Sequence, residues 1–373
     1  MKKINIAVIG AAGWIGGVHS DCWGRAKSVV KDTEIVLHSA VDISLDNLMK
    51  IKNRFGYLNI STNYDEIINN PEIDLIDICC DNNFHKDIAV KAAKSNKYVL
   101  CEKPLAVSFD DAKIMVDTVK KYNTPNRINF MYRKYPSLVY LKEMIERKEL
   151  GDIINIKIIF ERDWFSDPNT PYNWRFDKSK SGGGALVFLG SHVIDLMRFL
   201  VGDFDSLVAN ESTVIKERKR ENDEKILERV NVDDITMAMV NFKNGATGFI
   251  QASWVTQGRK HHVEFEIQGT KGTALFNSER LNELNIYEAE GDIRKRGFKN
   301  ILIGKEHPYG EIFGQVTGMG IGLKESFTLQ MSDFIEDIKN NSINGPTFED
   351  GLINMHYISK IQESVEKKGW VDV

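Results

Sequence analysis

Over its first 130 residues the chain alternates short apolar runs with stretches of helical periodicity, and this alternation constrains the fold more than any other feature. Ile4–Ile9 reads as a strand and Trp14–Val29 as a helix, and Glu34–Val41 followed by residues 45–53 repeats the pattern. Ile73–Cys80 is an apolar run that leads into the helical stretch Asp87–Ser95. Tyr98–Cys101 is a short strand, and Ser108 opens a further helix. Ser108 with Asp111 three residues on resembles a capping box, with Asp in place of the usual Glu. Strands that alternate with helices need right-handed crossovers, which make a parallel sheet covered on both faces. The expected class is α/β, beginning with a doubly wound parallel sheet.

After about residue 128 the texture changes. Ile153–Phe160, Met237–Phe242, Thr247–Trp254 and His262–Ile267 read as strands with few helices between them, and Lys243-Asn244-Gly245 is a hairpin signal. This predicts an α+β domain with a large, mostly antiparallel open sheet. The expected division is therefore residues 1–128 and 129–373. Lys216–Arg229 mixes both charge signs and reads as a solvated loop or strand extension. Phe327, Met331, Phe334, Ile335 and Ile338 fit one face of a helix, and another helix is expected over residues 347–368.

Composition excludes some partners. Lys plus Arg is 49 against 53 for Asp plus Glu, a net charge of −4, which argues against gripping nucleic acid or anionic lipid. No run suggests the roughly 18 apolar residues of a membrane span. Cys22, Cys79, Cys80 and Cys101 form no C-x-x-C pair, so buried free thiols in the cytoplasm are expected. No metal site is expected either: His261-His262 resembles a ligand pair, but alternation along a strand separates the two side chains.

The first strand runs into Gly10-Ala11-Ala12-Gly13-Trp14-Ile15-Gly16 just before a helix. A dinucleotide site needs a tight turn there, so that backbone N–H groups approach the pyrophosphate, and a helix N-terminus to favour its charge. The spacing G-x-x-G-x-x-G departs by one residue from the usual G-x-G-x-x-G. The second strand ends at Asp42, where a carboxylate can accept both ribose hydroxyls and repel a 2′-phosphate. Ile43 and Ser44 follow with no arginine, so NAD is expected over NADP; the other reading of Asp42 is a surface strand end. After the strand ending at Cys101 come Glu102-Lys103-Pro104, at the end of the sheet where ligands collect.

These segments, with Cys80-Asp81-Asn82-Asn83-Phe84-His85 and Gly190-Ser191-His192-Val193-Ile194-Asp195 in the same order, resemble the Gfo/Idh/MocA family, which includes glucose-fructose oxidoreductase and inositol dehydrogenases. The resemblance continues through Trp174-Arg175-Phe176-Asp177, Gly182-Gly183-Gly184-Ala185-Leu186, Val232-Asp233-Asp234 and Phe348-Glu349-Asp350-Gly351. It implies hydride transfer between a nicotinamide and a sugar or polyol carbon, and a homodimer or homotetramer formed through the C-terminal sheet. Lys103 would hold the reacting oxygen and contact the cofactor, and His192 would be the general acid/base. Gly10, Ala12, Gly13, Trp14, Ile15, Gly16, Asp42, Asn82, His85 and Glu102 would complete the cofactor site. Asp195, Arg162, Asp163, Trp174, Arg175, Asp177 and Tyr132 are the candidate substrate contacts.

One departure stands out. Many dehydrogenases of that family carry Asp four residues before the histidine, where this chain has Phe188. Asp195, Asp163 or Asp177 could substitute for it, or Lys103 and His192 could suffice, or dehydrogenase activity could be lost. Two other functions stay open on the resemblance: an NAD-dependent glycosidase that keeps its cofactor, and a non-catalytic cofactor-sensing regulator.

Overall fold

A computed structural model describes residues 2–221, 223–313 and 316–373. It divides into two compact units, Met1–Met131 with Leu323–Met355, and Tyr132–Gly322 with His356–Val373. A linear division at residue 128 leaves Leu323–Met355 with the second half, whereas its contacts place it with the first. The cause is specific: Gln330 donates to the Ile128 carbonyl at 2.7 Å, and Arg127 pairs with the buried Asp337.

The first unit is a six-stranded parallel sheet in the order β3-β2-β1-β4-β5-β6. Its strands are β1 (Lys2–Ile9), β2 (Thr33–Val41), β3 (Asn59–Ser61), β4 (Leu75–Ile78), β5 (Tyr98–Cys101) and β6 (Asn126–Ile128). Ile6, Ala7 and Val8 of β1 are wholly buried, as a strand covered on both faces requires. The helices α1 (Trp14–Val29), α2 (Leu45–Phe55), α3 (Tyr64–Asn69), α4 (Asn82–Lys94) and α5 (Phe109–Lys121) make the crossovers. Ser108 caps α5 by accepting from the Asp111 N–H at 3.2 Å, as the sequence predicts. The strand order reverses between β1 and β4, which opens a crevice at their carboxyl ends. Helix α4 starts at Asn82, earlier than its apolar pattern suggests, so Asn82 and His85 sit on its first turn.

The second unit is built on a nine-stranded sheet, ordered β16-β15-β14-β13-β7-β12-β11-β8-β17. Its strands are β7 (Ile153–Glu161), β8 (Phe204–Ser212), β11 (Ile235–Phe242), β12 (Thr247–Ser253), β13 (His262–Gly269), β14 (Gly272–Asn277), β15 (Glu283–Glu288), β16 (Lys299–Leu302) and β17 (Val371–Asp372). The β7–β12 pair is parallel and the remaining pairs are antiparallel. The predicted hairpin joins β11 to β12, with Gly245 at φ 86°. One face carries the helical run 186–200: Met197 lies so close to Gly248 that a Cβ there would sit 2.5 Å from its terminal carbon. On the opposite face Met237, Met239 and Ile154 are exposed.

Two sequence expectations change here. The mixed-charge stretch forms an antiparallel ribbon of β9 (Glu217–Arg220) and β10 (Asp223–Arg229), with Asn222 outside the described residues. It is not wholly solvated, because Arg218 is buried and donates to the Phe165 and Asp167 carbonyls at 2.6 and 2.9 Å. The run Lys178–Leu200 is long and apolar enough to cross a membrane by composition, which the sequence reading did not single out. Its apolar window is 89% buried, as a core helix would be.

Candidate functional site

In the first unit the glycine loop is built by close approach. Gly10 has φ 84°, and a Cβ there would lie 2.7 Å from the backbone of Cys79 and Cys80. A Cβ on Gly16 would lie 2.1 Å from the Gly10 carbonyl oxygen. The Gly10 and Ala11 N–H groups donate to the Val41 carbonyl at 2.8 and 3.1 Å, which ties the loop to the end of β2. Helix α1 begins after Gly13 with no side-chain cap and no acidic residue in its first turn. Its first N–H groups and positive dipole end are therefore available to an anion. Asp42 accepts the Ala12 N–H at 3.0 Å and the Ile43 N–H at 2.8 Å, fixing its carboxylate beside the loop. A cleft of about 250 Å³, lined by Gly10, Gly13, Asp42, Cys80 and Phe84 among others, follows. The loop, the uncapped helix and the carboxylate fit a dinucleotide. Trp14, at the start of α1, is 73% exposed next to this cleft's glycine loop.

Not every expected cofactor residue points that way. His85 is fully buried, with Nδ1 3.0 Å from the Pro104 carbonyl and Nε2 3.1 Å from the Cys80 carbonyl. Burial holds its pKa below the usual imidazole value, and the two carbonyl contacts tie the ring to the Lys103-Pro104 turn. Asn82 is buried beside it in the same turn of α4. The Glu102 carboxylate also faces inward, to His19 at 2.9 Å and to Asn129. Lys103 lies two residues beyond the end of β5, and its N–H donates to Glu102 Oε2 at 3.1 Å.

In the second unit His192 is carried by the helix Ser191–Leu200, which a π-helical turn at Leu186–Gly190 introduces. Asp233 holds the start of that run, accepting the Gly184 and Leu186 N–H groups at 2.7 Å each. A Cβ on Gly184 would lie 1.8 Å from the Asp233 carbonyl, so the glycine turn and the Val232-Asp233-Asp234 segment form one joint. The wide turn is the kind of helix irregularity that re-aims a functional side chain. His192 is nearly buried, edge-on to Tyr132 at a centroid distance of 4.8 Å and 6.1 Å from the Phe160 ring.

The carboxylates proposed to replace the missing Asp already have partners. Asp195 is buried and forked by Arg133 Nε at 2.9 and 3.2 Å. Asp177 caps a short helix, accepting from Ser179 N–H at 3.0 Å and Ser179 Oγ at 2.7 Å. Asp163 pairs with the exposed Lys260, a surface contact that a ligand hydroxyl can displace. Phe188 itself packs between Trp174 and Trp254, with centroids 5.7 and 5.9 Å away. Arg175 lies over Trp174 at 4.6 Å, and Arg162 over Trp164 at 3.9 Å. Tyr132 is buried, with its hydroxyl 2.7 Å from His261 Nε2. In the sequence His261 stands out only as half of a metal-like histidine pair, not as a partner of Tyr132. Burial and then Arg162 lower its pKa to about 4, which keeps it neutral against Tyr132. His262 turns instead toward Glu264 and Glu279, each 3.6 Å away, so the histidine pair shares no ligand position.

Comparison with known proteins decides the family. Residues 4–130 match the model described as an oxidoreductase family with an NAD-binding Rossmann fold, and residues 138–275 match the GFO/IDH/MocA C-terminal domain. The chain belongs to the Gfo/Idh/MocA family. Levoglucosan dehydrogenase of Pseudarthrobacter phenanthrenivorans is 34% identical to it over 100% of this chain and 99% of the relative. A solved levoglucosan dehydrogenase in complex with NADH and levoglucosan superposes with a TM-score of 0.96 at 35% identity, covering 100% of both chains. Glucose-6-phosphate 3-dehydrogenase of Bacillus subtilis is 29% identical over 94% of this chain and 93% of the relative. Residues 4–130 of this Gfo/Idh/MocA chain are thus an NAD-binding Rossmann domain, and residues 138–275 are the family's C-terminal domain.

Proposed function

We propose that the chain is a cytoplasmic, NAD-dependent dehydrogenase of a sugar, sugar derivative or polyol, with the unit built on residues 1–128 binding cofactor and the sheet unit that follows binding substrate. Full-length likeness to a levoglucosan dehydrogenase carries this reading. When bound, the nicotinamide supplies the hydride acceptor. Gly10, Ala12, Gly13, Trp14, Ile15 and Gly16 receive the pyrophosphate at the uncapped end of α1, and Asp42 accepts the ribose hydroxyls. The Asp42 carboxylate disfavours a 2′-phosphate, which supports NAD over NADP.

Lys103 donates a hydrogen bond to the reacting oxygen, and His192 takes the hydroxyl proton as the carbon is oxidised. Trp174, Arg175 and Arg162 present aromatic faces and guanidinium donors to the sugar. Tyr132 and His261 back His192, and Phe188 supplies an apolar wall in place of a carboxylate. Such a wall suits a sugar with fewer hydroxyls than a free hexose, and levoglucosan, whose 1,6-anhydro bridge removes two of them, is the first compound to test. The exposed Met237, Met239 and Ile154 support assembly through the open sheet face as a homodimer or homotetramer, readable by light scattering. The four cysteines are free, which fits a reducing compartment.

The test is NADH formation from NAD with levoglucosan, glucose and myo-inositol. A keto-sugar and NADH in equal amounts support the reading. Sugar cleavage without net NADH, or tight NAD binding with no turnover, refutes it.

A further inference from the structure

We propose that His19 is a positioning residue for Lys103: bridged between Asp77 and Glu102, it fixes the carboxylate that holds the lysine's own N–H. This ties the helix of the glycine loop to the end of the strand that delivers Lys103. The inference rests on the reading of Lys103 as the group that holds the reacting oxygen.

His19 lies on α1 with no exposed surface. Its Nδ1 is 2.8 Å from Asp77 Oδ2 and 3.0 Å from Oδ1, and its Nε2 is 2.9 Å from Glu102 Oε1. An ionised carboxylate only accepts hydrogen bonds, so a ring with a carboxylate at each nitrogen carries a proton on both. The remaining acceptor sites are filled as well. Trp23 Nε1 donates to Asp77 at 2.7 Å, Asn129 Nδ2 donates to Glu102 Oε1 while lying 3.1 Å from His19 Nε2, and the Lys103 N–H donates to Glu102 Oε2 at 3.1 Å. The Cys79 thiol lies 3.5 Å from Asp77 Oδ1, and the Phe327 ring closes the remaining side, edge-on at 5.3 Å.

The charge balance points the same way. Burial alone would favour a neutral imidazole, but Asp77 and Glu102 outweigh it and raise the pKa of His19 to about 10. Burial pushes Glu102 up, yet His19 and then Lys103 hold it below the usual carboxylate range. One imidazolium between two carboxylates leaves a single net negative charge at the strand end that carries Lys103, whose own charge helps keep Glu102 ionised. Without His19, Glu102 loses its fixed donor and either takes up a proton or turns, and the Lys103 backbone loses its anchor. Misplacing a reacting group by about 1 Å can cost on the order of a hundredfold in rate.

The experiment is a double-mutant cycle read in steady-state kinetics on the full chain, with NAD affinity measured separately by fluorescence. H19Q and E102Q each lower kcat by roughly tenfold to a hundredfold, while NAD affinity and substrate KM stay within about threefold. The double variant falls no further than the worse single one, as expected of residues that act as a unit. K103M, run alongside, tests the parent reading: full turnover in K103M removes the role of Lys103 itself. If K103M is inactive while folded H19Q turns over like the wild type, or if the two losses simply multiply, the positioning proposal alone is overturned. Should H19Q fail to fold, E102Q kinetics and nitrogen NMR of the histidine-labelled wild type replace it. A doubly protonated ring at mildly alkaline pH together with a slowed E102Q supports the proposal; a neutral ring, or an E102Q with wild-type kcat, overturns it.

Discussion

Raising the pH through the mildly alkaline range should destabilise the first unit, because His19 is held protonated inside it. Its pKa in the folded chain is about 10, against an ordinary value of 6.5. A group whose pKa rises on folding contributes stability that is complete below its unfolded value and is lost as pH climbs toward the folded one. The full difference sets a ceiling of about 5 kcal/mol at roughly 1.4 kcal/mol per pH unit. His19 is completely buried, so solvent screening takes little from that figure. Integrated from about pH 6.5 to about pH 8.5, the loss is roughly 2 kcal/mol. His85 and His261, whose pKa values are lowered by burial, act only below the ordinary imidazole value. The buried thiols of Cys22, Cys79, Cys80 and Cys101 have raised pKa values and add to the loss as pH approaches about 8.5, a contribution that the comparison with H19Q cancels. Glu102, lowered in the fold, contributes stability that is present above its unfolded pKa and is lost only in acid. Amide hydrogen exchange of α1 and β4, followed between these two pH values, reads the local opening energy. The wild type should lose protection beyond the intrinsic pH dependence, and H19Q should not. A flat wild-type profile, or an equal slope in H19Q, would refute the charge assignment.

Three further outcomes follow from the geometry. Asp42→Ala should weaken NAD binding by about tenfold or more, since a charge-assisted hydrogen bond is worth roughly 1.5–3 kcal/mol; fluorescence titration with NAD and NADP also shows whether discrimination against NADP falls with it. Arg133→Leu removes the ion-pair partner of the buried Asp195 and should cost up to about 3–5 kcal/mol of stability, measured by urea unfolding, as deleting one member of a buried pair does. Phe188→Asp should lower stability by at least about 2 kcal/mol and should not raise kcat, since it opens the Trp174–Trp254 packing and puts a charge into it; a gain in turnover would show that the position still serves as a carboxylate site.

The Rossmann half was legible because its strands are buried on both faces and appear as unbroken apolar runs, as in Ile4–Ile9. The glycine loop and Asp42 were legible because one helix start and one strand end have to carry that chemistry. The sheet of the second half was only partly legible: Phe204–Ser212 and Glu283–Glu288 bury one face and show polar residues on the other, so neither stands out as an apolar run. Pairings across long separations were invisible. His19 meets Asp77 and Glu102 from 58 and 83 residues away, and charged residues in a sequence read by default as surface. Asp195 was weighed as a substitute catalytic carboxylate because it lies one turn from His192. The helix face that brings them together also delivers Asp195 to Arg133, 62 residues distant, which no local pattern announces. His85 and Glu102 matched the expected cofactor positions in order along the chain. In the fold their side chains contact the turn that carries Lys103.

The central claim is that this chain oxidises a sugar hydroxyl with NAD through Lys103 and His192. The most direct measurement is single-turnover NADH formation by the wild type, K103M and H192N, with NAD affinity determined for each. The account predicts sugar-dependent NADH formation by the wild type, and a fall of at least about a hundredfold in both variants, with NAD affinity within a few-fold of the wild type for H192N. NAD binding without NADH formation from any sugar, or variants that turn over at the wild-type rate, would contradict it.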